Sequence, residues 1–324
     1  MRWHTYSEYL KERYGSSVFR IGVDGGFSCP NRDCTKHGGC AFCDGTGSVA
    51  VYQRKGESMY TRKSGYDENT AEKVLQRFDS IQNQIEKGKE FIRRRYRSDK
   101  FSLYFQSFTN TYDTVDNLKR IYDKALEYGP FVEFIVSTRP DCLEKEKLDL
   151  LASYKERGLD VWVELGLQTA NNDTLDYINR GHSRECYERS ARLVKEYGLL
   201  LSTHVIVGLP GEGRDDYEFT ARTVSEAGSD AIKIHNLHIT GGTRLADEYA
   251  EGKIEMMSPD EYIVELENYL RHLRPDMIVQ RIMSETPMHR LIAPRNFPDK
   301  NNIINSLSTL MEAHDSYQGD LYRG

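Results

Sequence analysis

The sequence lacks long apolar runs, a secretory leader and an excess of basic residues. No stretch of its 324 residues approaches the ~18 consecutive apolar residues that a membrane helix needs. The first fifteen residues, MRWHTYSEYLKERYG, are too polar to contain the apolar core of a secretory signal. Acidic residues (50) outnumber Lys and Arg (44), for a net charge of -6, so a nucleic-acid surface must be a local patch. These absences predict a cytoplasmic protein without membrane contact.

A GxGxxG turn after a strand is also missing, which disfavours a dinucleotide-binding sheet. Instead, short β-rich runs begin near residues 18, 101, 131, 160, 202 and 230. Helical stretches separate these runs, several with a glycine at the predicted C-terminal stop: Gly129, Gly158 and Gly198. Strands alternating with helices predict right-handed βαβ units and a parallel sheet. We expect an α/β fold, a partial (β/α)6 TIM-like barrel.

The pattern changes after about residue 250, to a helix near 259–274, a strand-like DMIVQRI and a helix around 300–313. We therefore predict a barrel domain over 1–250 and a small α/β extension over 251–324 packed on it. In such barrels the chemistry lies at the C-terminal ends of the strands. Polar residues end each predicted strand, and the candidates for catalysis are Tyr112, Lys233 and His235.

Four of the six cysteines, Cys29, Cys34, Cys40 and Cys43, lie within fifteen residues directly after the first predicted strand. In a reducing compartment such a group indicates a metal or cluster site rather than disulfides. The CxxC turn brings two thiolates to one centre. Three thiolates on a four-iron cluster would leave one iron free, whereas four would close the site.

A zinc site is the alternative, using all four cysteines of the segment with His37 nearby. Zinc ribbons usually show two CxxC turns and this segment has one, which favours the redox cluster. Cys34 is then a bystander, a fourth thiolate or a replacement for Cys29, and we favour the bystander.

Six segments, in order, resemble the radical SAM superfamily and within it the YhcC/YtqA-like family, which is related to the elongator catalytic subunit. They are DGGFSCPNRDCTKHGGCAFC (24–43), YFQSFTNTY (104–112), STRPDCL (137–143), ELGLQTANNDTLDYINRGH (164–182), HVIVGLPGE (204–212) and KIHNLHITGGTRLA (233–246). The resemblance implies a [4Fe-4S] cluster on Cys29, Cys40 and Cys43, with S-adenosylmethionine (SAM) at the free iron. An external electron donor would reduce the cluster, and cleavage of SAM would give a 5'-deoxyadenosyl radical.

The resemblance also implies residues that hold SAM. Gln168 would bond the ribose and Arg180 the carboxylate, while His204 occupies a position where some relatives carry a ribose-binding carboxylate. The remaining expected cofactor contacts are Tyr104, Gln106 and Ser137. Many family members have Gly-Gly-Glu after the second strand, where this sequence has Gln106 and Ser107, so the partner of the SAM amino group is open. Without the resemblance, Gln168 and Arg180 would be surface polar residues.

The related elongator subunit points to transfer RNA as substrate, at the C5 side chain of the wobble uridine. The segment 87–100, KGKEFIRRRYRSDK, carries seven basic and two acidic residues with interleaved aromatics, which suits phosphates and stacked bases. A solvated helix end whose cations complement the helix dipole explains it as well or slightly better. Two alternatives are a radical SAM enzyme with a non-RNA substrate and a zinc-stabilised RNA-binding module without catalysis. The oligomeric state stays open.

Overall fold

The computed structural model describes residues 1–33, 38–45, 52 and 71–324. Side chains are described for residues 1–32, 38–45, 52 and 81–324. Cys34 and His37 lie outside the described residues. The helices are α1 (Tyr6–Tyr14), α2 (Pro30–Asp33), α3 (Ala71–Tyr96), α4 (Val115–Leu126), α5 (Lys145–Ser153), α6 (Asn172–Tyr177), α7 (Arg184–Glu196), α8 (Arg214–Glu226), α9 (Arg244–Ala250), α10 (Pro259–His272) and α11 (Lys300–Ala313). The strands are β1 (Phe19–Val23), β2 (Phe101–Phe105), β3 (Glu133–Thr138), β4 (Asp160–Gln168), β5 (Leu200–Val207), β6 (Ala231–Asn236), β7 (Ile239–Thr240), β8 (Ile278–Arg281) and β9 (Leu291–Ala293).

Seven strands form one parallel sheet in the order β1-β2-β3-β4-β5-β6-β8, curled into a half-barrel. The predicted α/β partial barrel is confirmed. The strand-like DMIVQRI segment joins this sheet as β8, parallel to β6, so the sheet has seven strands where six were expected. A separate antiparallel pair, β7 and β9, lies beside it.

Local sequence signals set several helix boundaries. Thr5 and Glu8 form a capping box at the start of α1, and Ser258 and Glu261 form another at α10. Gly158 and Gly198 have the left-handed backbone expected of helix stops. Gly129 does not, and α4 ends three residues before it, at Leu126.

The two faces of the sheet differ in composition. Residues that point towards the helices are apolar and buried, for example Phe105, Phe134 and Val163. Alternate residues on the inner face include a small apolar group around Trp162, which the rings of Tyr6 and Tyr9 from α1 meet edge-on at 6.5 and 5.9 Å. The α1 tyrosines thus close the lower end of the lumen, the space enclosed by the inner face. No helix among the described residues is long and apolar enough to cross a membrane.

Candidate cofactor site and polar lumen

The CxxC turn is fixed to distant parts of the chain. The Ala41 N–H donates to the Ile178 carbonyl at 2.8 Å, and the Ala41 carbonyl accepts from the Leu245 N–H at 3.1 Å. Ala41 and Phe42 pack in an apolar cluster formed largely by α6, α9, β7 and β9. Arg290 pairs with Asp44, directly after the turn, with Nε 2.9 Å from the carboxylate. Residues after 170 therefore hold the turn in place.

Polar hydrogens converge on two of the predicted cluster sulfurs. The Asn31 amide donates to Cys40 Sγ at 3.4 Å and Arg180 Nη1 donates to the same sulfur at 3.5 Å. Arg32 Nη1 lies 3.9 Å from Cys43 Sγ. Burial raises the pKa of the Cys43 thiol, whereas Arg32 opposes the rise. Donors of this kind stabilise thiolate and cluster sulfur.

Arg139 provides a test of whether an anionic cluster fits here. Its guanidinium is 3% exposed and forms two 2.9 Å bonds to Asp141, which leaves Nη1 buried without a partner among the described residues. Burial opposes the charge of Arg139, but Asp141 and the thiols Cys29 and Cys40 raise its pKa overall. An unpaired buried N–H beside these thiols suits an anionic, sulfur-rich group. The residues present therefore fit a cluster.

The arrangement of the cysteines also bears on the type of metal site. Within the described ranges, no three His, Cys, Asp or Glu side chains lie close enough to hold one metal ion. A four-iron cluster binds each cysteine through a different iron, and so spreads its ligands. The zinc alternative requires Cys34, which lies outside the described residues.

The end of β4 joins the predicted SAM residues to the cysteine loop. Gln168 has a left-handed backbone (φ 82°) after a bulge against β5. Arg180 is 7% exposed, so it is no surface residue, and it donates to the Gly166 carbonyl at 2.6 Å through Nη2. A Cβ on Gly166 would lie 2.6 Å from Arg180 Nη2 and 2.8 Å from Gln168 Nε2. The structure thus brings Gln168, Arg180 and Cys40 together, as a shared cofactor site requires.

Five inner-face side chains form what we call the lumen layer: Arg20, Tyr104, Glu164, His204 and Lys233. The fully buried Glu164 carboxylate lies 2.6 Å from Lys233 Nζ, 3.0 Å from His204 Nε2 and 3.3 Å from Arg20 Nη1. Lys233 Nζ also donates to the Tyr104 hydroxyl at 3.2 Å. Three of the predicted site residues, from β2, β5 and β6, therefore meet around one carboxylate.

Burial and charge act in opposite directions in this layer. Burial raises the pKa of Glu164, but Lys233 and Arg20 outweigh it and hold that pKa well below its usual range. Burial, with Arg20, lowers the pKa of Lys233. Burial, with Lys233, lowers the pKa of His204 to about 4, so this imidazole is neutral near pH 7.

The other predicted site residues are more scattered. His235 is on the inner face with its ring centroid 5.5 Å from that of His204, whereas Tyr112 is 37% exposed on the loop after β2. The Gln106 amide faces Gly22, whose Cβ would lie 2.6 Å from its Nε2. Ser137 accepts the Asn110 N–H through its backbone carbonyl at 3.1 Å.

Sequence reasoning missed Arg20 as a site residue. The signal was a charged side chain inside the otherwise apolar first strand, FRIGV, at a position that alternation assigns to the inner face. A charge at such a position is costly to bury unless it is paired, so it marks a functional candidate.

The chain is 34% identical to the uncharacterized protein YtqA of Bacillus subtilis over 99% of this chain and 93% of that protein. It is 37% identical to the protein YhcC of Escherichia coli over 88% of this chain and 84% of that protein. More distantly, it is 28% identical to a tRNA uridine(34) acetyltransferase of Methanocaldococcus jannaschii, over 56% of this chain and 33% of that protein.

Among solved structures, the archaeal Elp3 of Methanocaldococcus infernus superposes with a TM-score of 0.61 at 20% identity. The match covers 77% of this chain and 62% of that one, and it supports the fold. Residues 229–313 match the Radical_SAM C-terminal domain, and residues 29–224 match the Radical SAM superfamily. The chain therefore belongs to the radical SAM superfamily, whose members are enzymes that use SAM and a [4Fe-4S] cluster.

Proposed function

We propose that Cys29, Cys40 and Cys43 hold a [4Fe-4S] cluster with SAM at its free iron, and that the enzyme modifies the C5 side chain of the wobble uridine in tRNA. The position of Arg180 supports this proposal most directly. Its side chain contacts Cys40 Sγ and also the Gly166 carbonyl, close to Gln168 at the end of β4. One guanidinium thus spans the predicted cluster and the predicted SAM contact. Bound there, cluster and cofactor would supply a 5'-deoxyadenosyl radical to the lumen.

The chain's own residues position the reactants and exclude water. Asn31 and Arg180 orient the Cys40 sulfur, and the bidentate pair with Asp141 fixes Arg139 beside Cys29 and Cys40. Below the mouth, which is the opening of the lumen at the C-terminal ends of the strands, Glu164 and Lys233 are almost completely shielded from solvent. A low-dielectric chamber strengthens every electrostatic contact to a reacting group.

Anaerobic reconstitution followed by an assay for 5'-deoxyadenosine tests the enzyme. We expect a brown, oxygen-sensitive protein that forms 5'-deoxyadenosine once reduced. The zinc-stabilised RNA-binding alternative predicts a colourless protein that leaves SAM intact.

The ligand assignment is tested by cysteine substitution with a matched control. Cys40→Ala should lose iron and SAM cleavage, whereas Cys34→Ala should keep both near the level of the parent, because a fourth thiolate would block SAM. Loss of the cluster in Cys34→Ala, with retention in Cys29→Ala, would show that the ligand set is wrong.

The carboxylate role of Arg180 has its own test. Arg180→Ala should raise the SAM concentration needed for half-maximal cleavage without removing the cluster, because the three cysteines still bind iron and a guanidinium–carboxylate pair is a binding interaction. Unchanged SAM affinity would reject the role.

The RNA part of the proposal rests on the distant tRNA uridine(34) acetyltransferases and, weakly, on the basic end of α3. Arg93, Arg94 and Arg95 lie in its last turn and are exposed, which suits phosphate contact. Arg93 Nε pairs with Asp99 at 2.6 Å and Arg95 Nε donates to the Tyr96 hydroxyl at 3.1 Å, so both also serve a local role.

Neutralising these three arginines to glutamine should weaken tRNA binding and flatten its salt dependence, because each lost phosphate contact removes released counterions. A matched control neutralises three other exposed cations, Lys119, Lys124 and Arg157. Equal loss in both triple variants would indicate a net-charge effect instead of a binding patch. An unaltered wobble-uridine profile in tRNA from a deletion strain would reject the substrate and leave a radical SAM enzyme acting on something else.

A further inference from the structure

Hydrogen-bond donors without partners are concentrated on the inner face of the half-barrel. In the part of the chain that the structure describes, Arg20 Nε and Nη2, His235 Nε2 and Gln280 Nε2 are buried and unpaired. These side chains come from β1, β6 and β8. In the same region Glu164 Oε1 forms ion pairs with Lys233 Nζ at 2.6 Å and with Arg20 Nη1 at 3.3 Å. Buried donors without partners are costly, so their grouping indicates a ligand that accepts hydrogen bonds.

The charges of the lumen favour an anionic ligand. Arg20 and Lys233 face Glu164, and Arg281 on β8, in register with Lys233, depresses the pKa of both His204 and Lys233. Arg281 itself is exposed. The same lumen holds two carboxylates, Glu164 and the deeper Glu133, and burial raises the pKa of Glu133.

Glu133 has donors of its own. It accepts from the Tyr6 hydroxyl at 2.7 Å, from Trp162 Nε1 at 3.1 Å and from the Ser102 hydroxyl. The neighbouring histidines add no charge near pH 7, because burial lowers the pKa of His204 and of His235. Two basic side chains, Arg20 and Lys233, therefore share the one carboxylate of Glu164.

The geometry of Arg20 narrows the ligand class. Its guanidinium contacts two rings, with Cζ 4.6 Å from the centroid of Tyr6 and 5.2 Å from that of Tyr104. The rings hold its plane by cation–π contact and prevent free rotation. Nη1 is directed at Glu164, and the unpaired Nε and Nη2 form the parallel pair of donors that binds a carboxylate through both oxygens.

We propose that the lumen binds a carboxylate group of the substrate, with Arg20 as its bidentate anchor. Gln280, and His235 in the tautomer protonated at Nε2, are the neighbouring donors. The proposal rests on the proposed function, because it places this substrate group below SAM in the same lumen. A phosphate shares the oxyanion chemistry. The planar two-donor edge of Arg20 suits the flat carboxylate better than the tetrahedral phosphate, and the experiment separates the two.

The first experiment uses the reconstituted, SAM-bound protein without substitution. Thermal unfolding is followed anaerobically, at constant ionic strength, with sodium acetate, acetamide or inorganic phosphate as probes. Bound SAM occupies its own carboxylate site, so acetate reports on a second one. We expect acetate to raise the unfolding temperature by about 2 °C at saturation, with no rise from the isosteric but uncharged acetamide. Equal shifts from acetate and acetamide would overturn the proposal, and a larger shift from phosphate would overturn the carboxylate assignment.

The second experiment identifies the anchor. Arg20→Gln should abolish the acetate shift, and Arg20→Lys should weaken acetate binding about tenfold, because an ammonium cannot make the parallel pair of bonds. Arg157→Gln, which removes an exposed cation paired with Asp123, is the control and should keep the full shift. If Arg20→Gln does not fold, the comparison of acetate with acetamide in the unsubstituted protein still decides. An unchanged acetate shift in Arg20→Gln would assign the anion to another site.

The two proposals fail separately. Acetate binding is an equilibrium measurement without turnover, whereas the radical SAM function is measured as 5'-deoxyadenosine. A protein that cleaves SAM but does not distinguish acetate from acetamide would contradict only the carboxylate site. One that binds acetate through Arg20 without cleaving SAM would contradict only the proposed function.

Discussion

The two faces of the seven-stranded sheet are made by alternate residues of the same strands, yet they follow different rules. On β3, Phe134 and Val136 pack against helices, while Glu133 and Ser137 point into the lumen. The helix-facing side is a continuous apolar core that stabilises the fold by burial. The lumen side buries paired charges, which contribute little net stability and are costly when a partner is lost. Along each strand, residues that stabilise the fold therefore alternate with residues that face the lumen.

The largest stability effect should come from the helix-facing side. Phe134 is fully buried and its ring meets those of Phe105, Tyr122 and Tyr154 edge-on. Phe134→Ala should lower the free energy of unfolding by about 3–5 kcal/mol, measured by urea denaturation, because it leaves a cavity. Ser137→Ala, on the lumen side of the same strand, should cost less than about 0.5 kcal/mol. Similar losses in the two variants would contradict the division between faces.

A smaller loss of stability is expected when one partner of the buried ion pairs is removed. Glu164→Leu leaves Lys233 and Arg20 without their carboxylate and should cost about 3 kcal/mol. Adding Lys233→Met should recover part of that loss, because the double variant removes a charge that has lost its partner. A double variant less stable than the single one would mean that each charge is stabilised independently.

The lumen should also make stability depend on pH. The folded pKa of His204, about 4, lies below its unfolded value near 6.5, so the unfolded chain binds the proton first. The contribution of His204 is complete above pH 6.5 and is lost as the pH falls towards 4, at up to about 1.4 kcal/mol per pH unit. The difference between the unfolding free energies at pH 7 and pH 5 should be smaller in His204→Gln than in the parent protein. Glutamine is chosen because it keeps a donor for Glu164. An equal fall in both would exclude His204 as the source.

At the mouth, where the two faces end, the expected effect is on ligand affinity and not on the fold. A Cβ at Gly166 would displace the ends of Arg180 and Gln168, so Gly166→Ala should weaken SAM binding about tenfold in equilibrium dialysis. Gly213→Ala is the matched control, because no atom lies within 4 Å of its Cβ position. Equal SAM affinities in the two variants would show that the mouth tolerates the methyl group.

The smallest effect concerns the cluster potential. Arg139→Gln removes a buried cation beside Cys29 and Cys40, and the midpoint potential from an EPR-monitored titration should fall by on the order of 30 mV. Arg139→Lys keeps the charge, so its midpoint potential should fall less. A potential that rises in Arg139→Gln would contradict the placement of this charge near the cluster.

Much of the fold was predictable because its signals are local. The spacing of apolar runs predicted the parallel sheet, and β4 begins at Asp160, as predicted. The placement of β8 was not predictable, because four residues of strand propensity do not indicate which edge they join. The resemblance predicted that Gln168 and Arg180 would lie near the cysteine loop. The convergence of Arg20 and Lys233 on Glu164 depends on the curvature of the sheet, which no spacing encodes.

The hydrogen bonds that hold the CxxC turn have a consequence for the order of assembly. Ala41 is bonded to residues 137 and 204 positions later, Ile178 and Leu245, and Asp44 pairs with Arg290. A nascent chain that has not yet been extended to these positions lacks the residues that hold the turn in place. If this turn holds the proposed cluster, we expect iron to bind after synthesis and collapse of most of the polypeptide, because contacts of such long sequence separation form late in folding.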